Sequence, residues 1–133
     1  MYTKNKKGFT LVEIMIVVAI IALLAAIAIP NLLRARIQAN ESAAISACKT
    51  VATAELSINS ATGTYVALAA LATPVPPYID AVLAAGTKQG YTFATTDIAA
   101  GTFHCSAVPV TARVTGVRSF CESEDGVVRV QVA

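Results

Sequence analysis

The sequence is poor in the residue types on which enzymes rely. Among its 133 residues there is one histidine, His104, no tryptophan, and only 14% charged and 6% aromatic residues. No Ser/His/Asp set, closely spaced Cys/His set or glycine-rich phosphate loop surrounds that histidine or stands elsewhere in the chain. We therefore predict that the chain is not an enzyme and that it binds no metal and no cofactor.

Basic residues are concentrated at one end of the chain. Lys4, Lys6 and Lys7 lie in the first eight residues, and the rest of the chain holds seven basic against eight acidic side chains. Without a basic stripe or a platform of aromatic rings, nucleic-acid binding through a basic patch is not expected. The three lysines instead fit the cytoplasmic flank of a membrane-spanning segment.

A long apolar run follows these lysines. Residues 9–29 read FTLVEIMIVVAIIALLAAIAI, 21 residues in all. At about 1.5 Å per residue, a helix of this length crosses a hydrocarbon core of about 30 Å. Glu13 is the sole ionisable side chain in the run. Because a charge inside a membrane costs about 2.5 to 3.5 kcal/mol near the helix centre, we expect Glu13 to have a partner and a function.

A cleaved secretory signal is the alternative interpretation of this region. Ala26-Ile27-Ala28 would supply a small-x-small cleavage site, and a secreted binding module would follow it. However, the apolar run is longer than the usual core of about 7 to 15 residues, and Glu13 would be an unexplained cost in it. A retained membrane helix is therefore the preferred interpretation.

Four features near the N-terminus occur together: a short basic leader that ends at Gly8, Phe9 directly after it, Glu13 as the fifth residue from Phe9, and Pro30 as the twenty-second. Residues 1–36 thereby resemble the N-terminal segment of type IV pilins and of the related pseudopilins of type II secretion. The resemblance implies that a membrane-embedded aspartyl prepilin peptidase cuts between Gly8 and Phe9 and methylates the new amine. It also implies that Glu13 pairs with that amine, within a subunit or between subunits, during assembly.

The same resemblance implies partners and a location. The partners would be further copies of the chain, the peptidase, an inner-membrane assembly platform with its ATPase, and membrane lipid before assembly. The chain would cross the inner membrane once with its N-terminus in the cytoplasm. It would then enter an extracellular filament, or a periplasmic pseudopilus if it serves type II secretion.

Residues 30–62 predict a second helical stretch. Pro30 lacks an amide hydrogen, so we expect either a kink or a helix boundary there. Glu41 and Glu55 interrupt the apolar face of this stretch, and we expect part of that face to lie near the rim or to contact another subunit. The apolar face itself comprises Leu33, Ile37, Ala44, Ile45, Cys48, Val51, Ala52 and Leu56.

Residues 63–133 predict a small head. Three prolines between positions 74 and 77 indicate a surface connection with short helical segments at 66–72 and 79–85. Four β-like runs follow this connection, and the short links between them imply that neighbouring strands are antiparallel. Apolar and polar residues alternate in the last run, which predicts that one face of that strand packs on the core and the other faces water. These runs are 91–96, 102–108, 117–122 and 127–132.

The predicted fold class is therefore α+β and type IV pilin-like, with a long N-terminal helix packed on an antiparallel sheet of about four strands. The first half of this helix is apolar on all sides and suits lipid or a helical bundle, whereas the second half has one apolar face. The predicted divisions are a leader at 1–8, a membrane or filament-core helix at 9–29, an amphipathic helix at 30–62 and the head at 63–133.

Three cysteines fall in a region that the predicted topology places outside the cytoplasm, where disulfides persist. Since the number is odd, at least one lacks an intrachain partner. Cys48, on the apolar helix face, is predicted to be a buried thiol. Cys105 and Cys121 lie on successive predicted strands and are the predicted disulfide pair.

The acidic residues around the Asp125-Gly126 turn leave one alternative. The C-terminal strands resemble, more loosely, those of short pilins and major pseudopilins, and major pseudopilins can bind calcium through acidic residues in such a loop. Glu122, Glu124 and Asp125 would be the ligands. Acids at a turn of this kind more often belong to a solvated hairpin, so no metal site is predicted.

Overall fold

A computed structural model describes residues 8–99 and 101–132. The chain divides into two units, one that ends at Arg34 and one that begins at Ala35. The helices are α1 at Leu11–Thr62, a 3₁₀ helix at Leu68–Ala72 and α2 at Ala81–Ala84. The strands are β1 at Thr87–Lys88, β2 at Tyr91–Ala99, β3 at Thr102–Pro109, β4 at Arg118–Ser123 and β5 at Arg129–Val132.

The first unit is the N-terminal part of α1, and its apolar side chains are exposed on every side. Its large hydrophobic residues from Phe9 to Leu33 are each at least half exposed. The most apolar 18-residue window of α1 has a mean hydropathy of 3.0, so by length and composition the helix can cross a membrane. Pro30 lies inside α1 and is not a helix boundary, while the predicted kink there stays a prediction.

The second unit carries a five-stranded antiparallel sheet in which sequence neighbours pair, in the order β1-β2-β3-β4-β5. The predicted α+β class is confirmed, and all four predicted strands are present with their bounds shifted by up to three residues. The strand that the sequence did not predict is β1, which pairs Thr87 and Lys88 with Thr92 and Tyr91. Two residues are too few to show an alternating pattern.

The core lies between the second half of α1 and one face of the sheet. Phe103, Cys105 and Ala107 alternate inward along β3, and Phe120 on β4 joins them. Burying a large apolar side chain such as that of Phe103 or Phe120 contributes about 1.5 to 3 kcal/mol. The helix contributes Ala44, Ala47, Cys48, Val51, Ala52, Ala54 and Ile58 to the same cluster.

The connection between α1 and the sheet differs from its predicted role as a surface segment. Both predicted short helical segments occur, but Leu68, Leu71, Ile79 and Leu83 are buried in the core. The buried leucines lie on either side of the prolines and belong to the same buried cluster as the core face of α1. The segment is therefore part of the core.

The edge strand β5 packs less completely than its alternation predicted. Val128 is partly buried against the core, but Val130 is 52% exposed. Val130 pairs with Phe120, so it stands on the core side of the sheet at its outermost strand. The helix does not cover this edge, which the strand pattern alone could not show.

Glu41 and Glu55 interrupt the apolar face of the helix, from which we expected part of that face to lie near the rim or at another subunit; both residues are buried, at 5% and 0% exposure. Glu41 accepts hydrogen bonds from Val117 N (3.0 Å) and Arg118 N (3.2 Å), and from the Arg118 guanidinium at 2.9 and 2.6 Å. Burial raises the pKa of Glu41, but the hydrogen bonds from Arg118 and Val117 outweigh it, so the net pKa lies below the ordinary value. Glu41 therefore fastens α1 to the start of β4.

Replacing Glu41 with glutamine is expected to destabilise the head by about 2 kcal/mol at pH 7, because hydrogen bonds to a charged group are lost. Since the pKa of Glu41 is lowered by folding, its stabilising contribution is full above its ordinary value of about 4.5 and is lost as pH falls through the folded-state pKa. Thermal unfolding of the full chain in detergent, followed by circular dichroism from pH 7 downward, measures both effects.

Glu55→Gln is the matched control. Burial raises the pKa of Glu55, and its side chain accepts one described hydrogen bond, from Val66 N at 3.1 Å. Its ionised form therefore lowers stability above its ordinary pKa, and the substitution is expected to leave stability at pH 7 unchanged or raised. Equal losses from Glu41→Gln and Glu55→Gln would contradict the role given to Glu41.

Candidate functional site

The candidate site is the start of α1, where Thr10 and Glu13 form a reciprocal pair of hydrogen bonds. Glu13 N donates to Thr10 Oγ1 at 3.3 Å, and Thr10 N donates to Glu13 Oε2 at 2.8 Å. Thr10 directly precedes the first helical residue, Leu11, so the pattern is a capping box. The Thr-x-x-Glu spacing in the sequence signals this arrangement, although our sequence reasoning did not single out Thr10.

The capping box gives Glu13 a partner inside the chain. Oε2 also accepts a hydrogen bond from the Thr10 hydroxyl at 2.9 Å, so the described hydrogen bonds to the carboxylate end on one oxygen. A negative charge in the first turn also interacts favourably with the positive end of the helix dipole. The sequence predicted a different partner, the Phe9 amine, which exists only when the bond to Gly8 has been cut.

The bond between Gly8 and Phe9 lies in an open position. Both residues are exposed, Phe9 at 87%. A Cβ built on Gly8 would meet no atom within 4 Å, and Gly8 is not among the glycines with positive φ. The described structure therefore has no steric need for glycine at position 8, and its bond to Phe9 is open to another molecule.

The acidic residues near the C-terminus do not converge on a common point. Asp125 contacts the Arg129 guanidinium at 2.5 Å and accepts a hydrogen bond from Val127 N. Those contacts, the Arg129 hydrogen bond first, hold the pKa of Asp125 below its ordinary value. Glu122 instead pairs in register with Cys105 and is 2% exposed. Among residues 8–99 and 101–132, no group of three His, Cys, Asp or Glu side chains is placed to hold a metal ion.

The structure differs from the predicted pairing of Cys105 with Cys121. The structure has no bond between any two of the three cysteine sulfurs. Cys105 is paired in register with Glu122, whereas Cys121 is paired with Ser106. Residues one position apart on a strand point to opposite faces, so the two thiols lie on different sides of the sheet. Cys48 is fully buried, as predicted.

Comparison with known proteins identifies the class of the N-terminal segment. The family described as "Prokaryotic N-terminal methylation motif" matches residues 3–29. This match confirms the predicted resemblance of the N-terminal segment to type IV pilins, and the long apolar helix and small antiparallel sheet are the elements that the resemblance implies.

Two relatives match part of the chain. Over 38 residues the chain is 66% identical to the type IV wide pilus major component PilA4 of Thermus thermophilus, a match that covers 29% of each chain. Over 56 residues it is 46% identical to the type IV major pilin protein PilA of Myxococcus xanthus, which covers 42% of this chain and 26% of the relative. The matches thus span less than a third of either relative.

Proposed function

We propose that the chain is the structural subunit of a type IV pilus-like filament and that it polymerises from the inner membrane through the N-terminal half of α1. The observation that carries this proposal is the exposed apolar surface from Phe9 to Leu33. An apolar surface of this size is unfavourable in water, so it requires lipid or other helices around it. Lipid surrounds it before assembly, and further copies of the same helix surround it in the filament.

Processing precedes assembly in this proposal. A prepilin peptidase cuts the exposed bond between Gly8 and Phe9 on the cytoplasmic side, and the new Phe9 amine is methylated. Cleavage places a positive charge four residues before Glu13. The carboxylate, which the capping box already holds at the start of the helix, then gains a charged partner.

The head has a display role in this proposal. It lies outside the cytoplasm, and the assembly platform and its ATPase act on the membrane-embedded subunit. The names of the two relatives, a wide pilus major component and a major pilin, support a pilin rather than a pseudopilin of type II secretion. The body of the chain offers no catalytic set, which agrees with a structural role.

Filaments sheared from cells and analysed by intact-mass and N-terminal peptide spectrometry test this proposal. The expected first residue is Phe9, with one methyl group on its amine, and the filaments are expected to be long and extracellular. A mature chain that begins at Ile29 would instead indicate a secretory signal peptidase. Processed subunit found only in short periplasmic assemblies would favour the pseudopilin alternative.

A further inference from the structure

Two cysteines face each other between the helix and the sheet. Cys48 stands on the core face of α1, and Cys105 points inward from β3. Their sulfur atoms are 3.9 Å apart, and both residues are 0% exposed. Phe103 and Ala107, the neighbouring inward residues of β3, are also fully buried. The packing on both sides thus holds the two thiols in opposition.

We propose that Cys48 and Cys105 form a disulfide that fastens α1 to β3. A bonded pair of sulfurs is about 2.05 Å apart, so the two atoms must approach each other by about 2 Å. Each side chain has a single rotatable bond before its sulfur, and small rotations of both supply most of that movement. The bond would join residues 57 positions apart in the chain.

The oxidant is a disulfide donor, such as the active-site disulfide of an exported thiol oxidoreductase. One cysteine thiolate attacks a donor sulfur, breaks the donor S–S bond and forms a mixed disulfide. The second cysteine thiolate then displaces the donor from that mixed disulfide. Both protons pass through water to the two donor sulfurs, both electrons pass to the donor, and the donor leaves as a dithiol.

The bond must form before the head is fully packed. A hydrogen bond with the Cys48 thiol and burial raise the pKa of Cys105 far above its ordinary value, so its reactive thiolate is suppressed once the core has closed. Oxidation therefore accompanies folding outside the cytoplasm, a location that rests on the proposed function. The compartment is one in which disulfides persist.

Cys121 is left as the unpaired cysteine. Its register partner is Ser106, so it lies on the sheet face opposite Cys105, and it is partly exposed. A bond from Cys121 to Cys105 would require a one-residue slip of β4 against β3. Such a slip would turn Phe120 out of the core.

Trypsin separates the three cysteines, which makes the pairing directly measurable. Each cysteine falls in a different peptide: 37–49 holds Cys48, 89–113 holds Cys105 and 119–129 holds Cys121. Cells that express the full chain are quenched in acid, and free thiols are alkylated under denaturing conditions without reductant. The expected result is a cross-linked pair of peptides 37–49 and 89–113 that disappears after reduction, together with an alkylated peptide 119–129.

Two variants separate the pairing from its alternatives. Cys121→Ser is expected to keep the cross-link at the wild-type level, whereas Cys48→Ala is expected to lose it and to leave Cys105 open to alkylation. Three alkylated cysteines in the wild-type chain, or a cross-link that includes peptide 119–129, would overturn the proposal.

A separate measurement on the same cells tests the location of the head. Protease added to spheroplasts is expected to cleave it from outside. Three free thiols with an accessible head overturn the disulfide alone, and three free thiols with a protected head overturn the proposed membrane topology as well.

Discussion

Cells in which Glu13 is replaced by glutamine are expected to process and insert the chain normally but to form about a hundredfold fewer filaments. Glutamine keeps the length of the side chain and can still accept the Thr10 N–H bond of the capping box. It cannot neutralise the Phe9 amine that the proposed cleavage would create. A lone charge of this kind inside a packed helical bundle costs about 2.5 to 3.5 kcal/mol, which corresponds to about a hundredfold in the equilibrium for adding a subunit.

Thr10→Val is the matched control for this prediction. It removes the hydroxyl that caps Glu13 N and that donates to Oε2, but it leaves the carboxylate in place. Loss of a cap costs about 0.5 to 2 kcal/mol of helix stability, and the helix bonds of a membrane segment persist without it because lipid offers no alternative partners. Filament number is therefore expected to fall much less for Thr10→Val than for Glu13→Gln.

Filaments counted by electron microscopy, beside a blot for processed subunit, distinguish the two roles of Glu13. If the carboxylate acts only as a helix cap, Glu13→Gln will resemble the wild type and Thr10→Val will be defective. That pattern would remove the proposed pairing with the Phe9 amine. The reverse pattern supports it.

The elements of the fold could be predicted because their patterns are local. Continuous apolar character marks the first half of α1, and a period of 3.6 residues marks the second. The strands are indicated by the alternation of apolar and polar residues in short runs that are bounded by Gly-containing turns. The absence of any alternating pattern in the two-residue β1 shows the limit of this approach.

The burial of Glu41 could not be predicted from the helix alone. A carboxylate on an apolar face looks like an interruption unless its partner is known, and its partners Val117 and Arg118 lie 76 and 77 positions further along the chain. Leu71 and Leu83 were missed for a related reason, because prolines near them indicated a surface path. Burial depends on which surfaces meet, and this is a property of the tertiary structure.

The cysteine pairing depends on register to within one residue. Cys105 and Cys121 lie on neighbouring strands, which suggested that they are close. In the actual register each cysteine is one position away from the residue opposite the other, so their side chains point to opposite faces of the sheet. The contact between Cys48 on α1 and Cys105 on β3 could not be predicted from the order of the strands. In the candidate site, Gly8, Phe9 and Glu13 were predicted from the resemblance that their spacing carries. The capping partner Thr10 was also present in the sequence as a Thr-x-x-Glu signal.

A charged side chain at position 8 is expected to stop processing without disturbing the fold. Gly8→Glu is expected to lower the rate of cleavage by at least about a hundredfold, equivalent to about 2.7 kcal/mol in the barrier. The proposed aspartyl peptidase would have to bring this residue beside its own carboxylates, where a further negative charge is repelled and loses its hydration. Because a Cβ on Gly8 meets no atom within 4 Å, the same substitution leaves the described structure unstrained.

Gly8→Ala separates size from charge in this experiment. It adds only a methyl group and is expected to slow processing by about tenfold or less, while Glu13→Gln, which lies beyond the cleaved bond, is expected to be processed at the wild-type rate. The ratio of precursor to mature chain in a pulse-chase experiment gives all three rates. If the Gly8→Glu variant yields mature chain beginning at Phe9 at the wild-type rate, cleavage does not depend on glycine at position 8. In that case the open position of Gly8 would have no connection with processing.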